Sequence, residues 1–248
     1  MTNILTIKNV SKKYHTLDGE ITAIKDISLD IKENEIIGIV GSSGCGKSTL
    51  LSILAELEKA SSGSIITKNN NFSYMLQRDA LLPWLNVLDN AYLGLELKNI
   101  KTKENTKYAK KLLCNFGLEP FLNQTPDNLS GGMRQRVALV RTLATKPDII
   151  FLDEPLSALD YMTRLTISDD IYKLIKNTNV TTIIISHDIA ECVAMCDRIV
   201  VLSKRPAVIK NIYDINLENK GLPSKNRKDK LFNYYYDLVW GDLDKNIT

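Results

Sequence analysis

A glycine-rich stretch near the start of the chain, GSSGCGKST, has the residue types that bind phosphate. It fits the pattern G-x-x-x-x-G-K-[ST], follows a short apolar run and precedes a helical pattern, which is the context this motif requires. Glycines let backbone N–H groups turn toward phosphate oxygens, and the positive end of the following helix adds to the attraction. Lys47 is predicted to reach the β- and γ-phosphates of a nucleoside triphosphate, and Ser48 to offer its hydroxyl to Mg²⁺. The predicted phosphate-binding residues are Gly41, Ser42, Ser43, Gly44, Cys45, Gly46, Lys47, Ser48 and Thr49.

Two adjacent carboxylates, Asp153 and Glu154, follow the apolar run IIFL, which is typical of a buried strand. Because Mg²⁺ takes few protein ligands beside phosphate oxygens and water, one carboxylate is enough, and Asp153 is predicted to supply it. Glu154 is predicted to be the general base that holds a water against the γ-phosphate. A solvated acidic loop is the alternative, and the four apolar residues before the pair argue against it.

A second stretch, LSGGMRQRVAL, places Ser130, Gly131 and Gly132 directly before a run with helical spacing. A helix that begins in this way can hold an anion, because its first N–H groups have no partner within the helix. The chain therefore contains two predicted anion-binding helix starts, far apart in sequence.

Strands and helices in alternation must position these residues, and they predict an α/β fold with a mainly parallel sheet. The continuous apolar runs EIIGIV, DIIFLDEP, TTIIISH and RIVVLSK are predicted to be buried strands. Alternating patterns predict two half-buried N-terminal strands, which are joined by the turn HTLDGE. SGSIIT and FSYMLQ are predicted to be two further strands, which are joined by the turn KNNN. Residues 78–146 are mostly helical in pattern and are interpreted as an inserted subdomain of a core formed by residues 1–77 and 147–248. The tail after Pro206 is polar, and LFNYYYDLVW in it is predicted to be a helix that packs three or four aromatics on the domain.

Composition limits the function further. The net charge of +3 is too small to favour a nucleic-acid partner. The four cysteines lack histidines at zinc-binding spacing and are interpreted as free thiols in a reducing cytosol. The N-terminus lacks a signal-peptide pattern, and no apolar run approaches the roughly 20 residues that span a bilayer. If the protein acts at a membrane, other chains must supply the membrane part.

Taken together, these motifs resemble those of the ATP-binding subunits of ABC transporters, over nearly the whole chain. In that resemblance GSSGCGKST is Walker A, IIFLDEP is Walker B, LSGGMRQR is the signature and Ser157–Asp160 is the D-loop. His187 matches the switch histidine. Gln77 matches the Q-loop glutamine, and the resemblance implies that it has a catalytic role and is a ligand of Mg²⁺. Tyr14 matches the aromatic residue that stacks on adenine, although an ordinary edge-strand tyrosine is the alternative. A P-loop NTPase core with an inserted helical subdomain is the implied fold.

The resemblance also implies why there are two anion sites. In this family two subunits form a head-to-tail dimer, and the signature of each faces the ATP held by the P-loop of the other. Ser130, Gly131 and Gly132 are then donors to a partner's γ-phosphate. The implied partners are a second ATPase subunit in a homodimer or heterodimer, transmembrane permease subunits and, indirectly, an extracytoplasmic solute-binding protein. The implied location is the cytoplasmic face of the cell membrane.

The segment after Gln77 resembles importers of the nitrate, sulfonate and taurine group. Leu82, Pro83 and Trp84 are predicted to line a groove for a helix of the membrane subunit, with core packing of Trp84 as the alternative. The segment between the P-loop helix and Gln77 is shorter than in many relatives, which weakens any assignment of cargo. An importer of another small organic solute, such as a vitamin precursor, stays open.

Two other classes are considered. ABC-type ATPases that act on DNA or ribosomes usually have long coiled-coil insertions or two cassettes, and this chain has one cassette and no long heptad stretch. A regulatory partner that binds nucleotide without hydrolysing it is disfavoured because Glu154 and His187 are both present.

Overall fold

The computed structural model describes residues 2–17, 19–68, 71–157 and 159–244, and two β-sheets organise them. The smaller sheet has three antiparallel strands in the order β2-β1-β4, which confirms the predicted N-terminal strands. Its strands are β1 (Asn3–Thr16), β2 (Gly19–Lys32) and β4 (Ser62–Thr67). Asp18, Asn69 and Asn70 of the two predicted turns lie outside the described residues.

The larger sheet has six strands in the order β5-β6-β7-β3-β8-β9. The first five are parallel, and β9 is an antiparallel edge strand. Its strands are β3 (Ile36–Val40), β5 (Phe72–Met75), β6 (Ile149–Asp153), β7 (Thr181–Ile185), β8 (Arg198–Leu202) and β9 (Ile209–Asp214). The mainly parallel sheet is therefore confirmed. Since parallel strands share one carboxyl edge, the loops that follow β3, β5, β6, β7 and β8 meet there.

Hydrophobic cores lie on both faces of the larger sheet, which explains the continuous apolar runs. In β6, Ile149 and Phe151 face a core shared with the smaller sheet and the first helix. Ile150 and Leu152 face a second core, against the helices. A strand buried on both sides cannot alternate with polar residues, so the sequence pattern follows from its place in the sheet.

Eight α-helices surround these sheets in the described part of the chain. They are α1 (Lys47–Leu54), α2 (Val87–Leu97), α3 (Lys103–Asn115), α4 (Gly131–Leu143), α5 (Tyr161–Thr178), α6 (Ile189–Met195), α7 (Pro223–Asn226) and α8 (Phe232–Asp244). Among them, none is long and apolar enough to cross a bilayer. Helices α2, α3 and α4 pack on one another in the middle of the chain. Their capping side chains Asn86, Thr102 and Ser130 each accept a hydrogen bond from the backbone N–H three residues on.

Two features differ from the sequence pattern. SGSIIT and FSYM are both strands, but they belong to different sheets, because β4 pairs with β1 while β5 pairs with β6. Strand β9 lies in the polar tail and was not predicted. Helix α8 is confirmed, and three of its aromatics, Phe232, Tyr235 and Tyr236, pack on the core.

Candidate functional site

The glycine-rich loop joins β3 to α1 at the carboxyl edge of the larger sheet. Gly46 has a φ of +128°, and a Cβ there would lie 2.9 Å from Ile24 and 3.0 Å from the carbonyl of Ala23, so no other residue fits without a shift. No side chain caps α1, which leaves its first N–H groups for an anion. The buried Lys47 ammonium donates to the carbonyls of Gly41 (2.8 Å) and Ser42 (3.0 Å). The loop thus has the features of a phosphate cradle.

Asp153 ends β6 and is almost fully buried beside this cradle. Tyr74 donates its hydroxyl to Asp153 at 3.2 Å, and Ser48 also forms a side-chain hydrogen bond with this carboxylate. Burial raises the pKa of Asp153, while these two hydrogen bonds lower it in part. Burial likewise raises the pKa of Tyr74, so its hydroxyl remains a donor. A carboxylate and a hydroxyl brought together beside a phosphate cradle are a donor set that suits Mg²⁺.

The side chains of two other loops contact Glu154. Gln77, which follows β5, donates from Nε2 to Glu154 Oε2 at 2.9 Å. His187, which follows β7, has its Nδ1 3.2 Å from Glu154 Oε1. Glu154 has a φ of 49°, in the left-handed region that a non-glycine residue rarely adopts, and its N–H donates to Ile185 O at 2.9 Å. Strain of this kind gathers at functional sites, and here it aims the carboxylate between the two neighbouring loops.

These side chains border one cavity of about 550 Å³. A cavity of this volume falls within the usual range for a small-molecule site. Its lining residues are Ser43, Gly44, Gly46, Lys47, Ser48, Thr49, Gln77, Glu154, His187 and Arg205. The structure therefore brings together most of the residues predicted from Walker A, Walker B, the Q-loop and the switch, and it adds Arg205.

The signature residues lie elsewhere, at the start of α4. Ser130 caps this helix, with its hydroxyl accepting from the N–H of Met133 at 3.3 Å. A Cβ at Gly132 would lie 3.1 Å from Leu159, whereas one at Gly131 would meet nothing closer than 3.8 Å. Of the described residues that line the cavity, none comes from this helix start. The second predicted anion site is therefore separate from the first within one chain.

Tyr14 lies on β1, close to the P-loop helix. Its hydroxyl donates to Glu58 at 2.7 Å, the Lys12 ammonium lies 5.0 Å from the centroid of its ring, and its side chain also interacts with Thr49. The ring is half-buried and is placed beside the loop rather than among the described cavity-lining residues. Its role as an adenine platform stays a prediction.

Several polar contacts at the edge were not predicted. Arg164 forms an ion pair with Asp188 at 3.0 Å and donates to Leu159 O, so it joins the segment after Walker B to the loop of His187. In the D-loop, Ser157 donates to Glu154 O at 3.0 Å and Asp160 caps α5, while Ala158 lies outside the described residues. The signal that could have found Arg164 is its position one turn into a helix that starts at the site.

Trp84 does not pack in the core. Its side chain is 73 % exposed, so the core-packing alternative is wrong. The buried Asn90 fixes the segment before it, accepting from the N–H of Leu82 at 2.8 Å and donating to the carbonyls of Leu82 and Leu85. Trp84 therefore lies at the surface of a firmly held turn, and its role as a contact for a partner stays a prediction.

Comparisons with known proteins agree with this geometry. Residues 24–157 match the family model described as ABC transporter. The chain is 38 % identical over 250 residues to the uncharacterised ABC transporter ATP-binding protein YtlC of Bacillus subtilis, covering 98 % of this chain and 96 % of that protein. It is 36 % identical over 258 residues to the taurine import ATP-binding protein TauB of Ruegeria pomeroyi, with the same coverage of both chains.

One solved structure is similar to this protein over most of the length of both chains. It is a dimeric post-hydrolysis state of the ATP-binding cassette MJ0796 bound to ADP and Pi. The TM-score is 0.76 at 32 % identity, over 86 % of this chain and 99 % of that one. With Walker A, Walker B, the Q-loop and the switch histidine gathered at one sheet edge, the chain belongs to the ABC transporter family, as a subunit that binds and hydrolyses ATP.

Proposed function

We propose that the chain powers import of a small solute, hydrolysing ATP in a head-to-tail dimer attached to separate membrane permease subunits. The observation that carries this proposal is the separation of the two anion sites. The P-loop cavity contains Gln77, Glu154 and His187 but no residue from the described start of α4. Ser130, Gly131 and Gly132 can act on a phosphate only if a second chain brings one.

In the proposed mechanism the P-loop N–H groups and Lys47 hold the phosphates, and Lys47 exchanges its two carbonyl contacts for phosphate oxygens. Ser48, Asp153 and the amide oxygen of Gln77 would hold Mg²⁺, which would offset the charge of the phosphates. The Ser48–Asp153 hydrogen bond supports this assignment, because it places two oxygen ligands together.

Glu154 is proposed to accept the proton of the attacking water. Its two oxygens already contact Gln77 and His187, so neighbouring loops fix its direction. His187, 61 % exposed at the cavity wall, is proposed to contact the γ-phosphate. Tyr14 is proposed to stack on adenine. Residues 78–146 are proposed to form the helical subdomain, and the subunit is proposed to lie at the cytoplasmic face of the membrane.

The cargo is proposed from similarity to TauB and from the residues after Gln77. A sulfonate such as taurine, or nitrate, is the leading class. The ATPase subunit does not contact the cargo, and the similar YtlC has no cargo in its name. An extracytoplasmic solute-binding protein encoded nearby, screened against such anions, would identify it.

The dimer is tested with Glu154→Gln, which keeps the contacts of Glu154 but removes the base. With Mg-ATP this variant is expected to elute from gel filtration as a dimer, because the nucleotide is bound and not hydrolysed. Glu154→Gln combined with Gly131→Asp is the matched control. An acidic side chain at Gly131 has room, suits the first turn of α4 and would repel a partner's phosphate. A monomeric first variant, or a dimeric control, would contradict the head-to-tail proposal.

A further inference from the structure

Arg205 borders the nucleotide cavity but belongs to none of the motifs that the sequence revealed. It follows β8, whose carboxyl end lies at the same sheet edge as the P-loop. Its Nη2 donates to the carbonyl of Gly44 at 2.8 Å, across 161 residues of sequence. The guanidinium therefore touches the phosphate cradle from outside the P-loop.

The segment that carries Arg205 is firmly attached to the smaller sheet. The buried Ala207 donates its N–H to Ala23 O and accepts from Lys25 N–H, both at 2.9 Å. It also borders the P-loop, because a Cβ at Gly46 would lie 3.6 Å from the Ala207 Cβ. Because Arg205 lies two residues before Ala207, its backbone is held beside the cavity without a bound ligand.

The charge of Arg205 is not neutralised within the described residues, where it forms no ion pair. Arg134, Arg164 and Arg198 by contrast each contact a carboxylate at 3.0 Å or less. A guanidinium has five N–H donors, and the Gly44 carbonyl takes one of them. An arginine with donors to spare beside a phosphate cradle matches the planar, bidentate way in which arginine binds phosphate.

We propose that Arg205 is a nucleotide-binding residue whose guanidinium contacts the phosphate chain of ATP while it holds the P-loop at Gly44. The inference rests on the proposed function of the P-loop cavity. It adds a second cation to Lys47, from the loop that follows β8. The competing explanation is that Arg205 only braces Gly44.

The test measures binding of ATP, ADP and AMP to the full chain by calorimetry, at several salt concentrations. Arg205→Ala is expected to raise the Kd of ATP roughly tenfold, that of ADP less and that of AMP least. The dependence of ATP affinity on salt should become weaker, and Arg205→Lys should restore part of the affinity. Lys204→Ala, the exposed neighbouring cation, is the matched control and is expected to bind all three as the native chain does.

Three outcomes would overturn the inference. An unchanged ATP affinity in Arg205→Ala is one. An equal loss for ATP, ADP and AMP together with a lower melting temperature of the nucleotide-free chain is another, because it is the result of a brace. The third is a loss that Lys204→Ala reproduces. Lys47→Ala is run in parallel: if it binds ATP normally, the P-loop assignment fails, whereas normal binding by Arg205→Ala with weak binding by Lys47→Ala removes only the role of Arg205.

Discussion

The carboxyl edge of the larger sheet and the start of α4 both have features that suit an anion, but they differ in the contacts that are already formed within one chain. At the sheet edge, Lys47 donates to Gly41 O within its own loop, Asp153 accepts from Tyr74 of β5, and Glu154 accepts from Gln77 in the loop after β5. At the start of α4, Ser130 accepts a hydrogen bond from its own helix, and a side chain at Gly131 would meet nothing closer than 3.8 Å. One region holds the machinery for hydrolysis, and the other has donors that await a ligand. Under the proposed function, a complete catalytic unit therefore takes parts from two chains.

The largest expected effect comes from mixing two inactive variants. Lys47→Ala is expected to lose at least a hundredfold in ATP hydrolysis, because it removes the cation of the cradle. Gly131→Asp is expected to lose as much, because it places a carboxylate against the partner's phosphate. In a one-to-one mixture, half of the dimers contain one site with both a native P-loop and a native signature. Phosphate release is therefore expected to return to about a quarter of the native rate at most.

The control for this experiment is Gly131→Asn, which has the size of aspartate without its charge. By itself it is expected to lose less activity than Gly131→Asp, because no carboxylate then faces the partner's phosphate. If Lys47→Ala and Gly131→Asp stay inactive when mixed although both chains are found in one dimer, the pairing of one chain's P-loop with the other chain's signature is contradicted. Activity of Gly131→Asp by itself would show that α4 does not meet a phosphate.

Much of this comparison could be predicted from sequence, because motifs and burial patterns are local. The runs of β3, β6 and β7 are largely apolar because both of their faces are buried, and the motif residues follow strand ends by short spacings. Contacts between distant segments could not be predicted in this way. Tyr74 with Asp153 and Arg205 with Gly44 join positions 79 and 161 residues apart, and no local pattern encodes such a pair. The exposure of Trp84 was open for a related reason, since a large apolar residue suits a core and a docking surface equally.

A buried carboxyl beneath the sheet edge gives a medium effect that depends on pH. Glu191 lies on α6, and Ser186, beside His187, donates its hydroxyl to it at 3.0 Å. Burial, with the nearby Asp188 as a smaller cause, raises the pKa of Glu191 to about 7. In the unfolded chain it titrates near ~4.3, so the folded state binds the extra proton between these values. The contribution of Glu191 to the free energy of unfolding is therefore largest below the unfolded pKa. It is lost as the pH rises toward 7, by on the order of 2–4 kcal/mol.

Glu191→Gln is expected to remove that pH dependence, because the amide keeps the acceptor for Ser186 and cannot ionise. The measurement is the free energy of unfolding in urea from pH 5 to pH 8, for the native chain and the variant. Glu119→Gln changes an exposed carboxylate and is expected to follow the native curve. Parallel curves for the native chain and Glu191→Gln would mean that Glu191 is already ionised at pH 5.

The smallest effect on the isolated chain is expected from Trp84→Ala. Because this side chain is 73 % exposed, its removal should change the free energy of unfolding by less than about 0.5 kcal/mol and leave basal hydrolysis unchanged. With the permease subunits in a membrane, the stimulation of hydrolysis should fall, because the proposed docking surface loses its largest apolar group. Leu97→Ala, a 75 % exposed residue at the end of α2, is the control that should keep full stimulation. If Trp84→Ala lowers the free energy of unfolding by more than about 2 kcal/mol, the side chain contributes to core packing after all. Full stimulation of Trp84→Ala would show that this residue is not needed for contact with the permease subunits. The sheet edge and the start of α4 would then remain as the two regions proposed to act in hydrolysis.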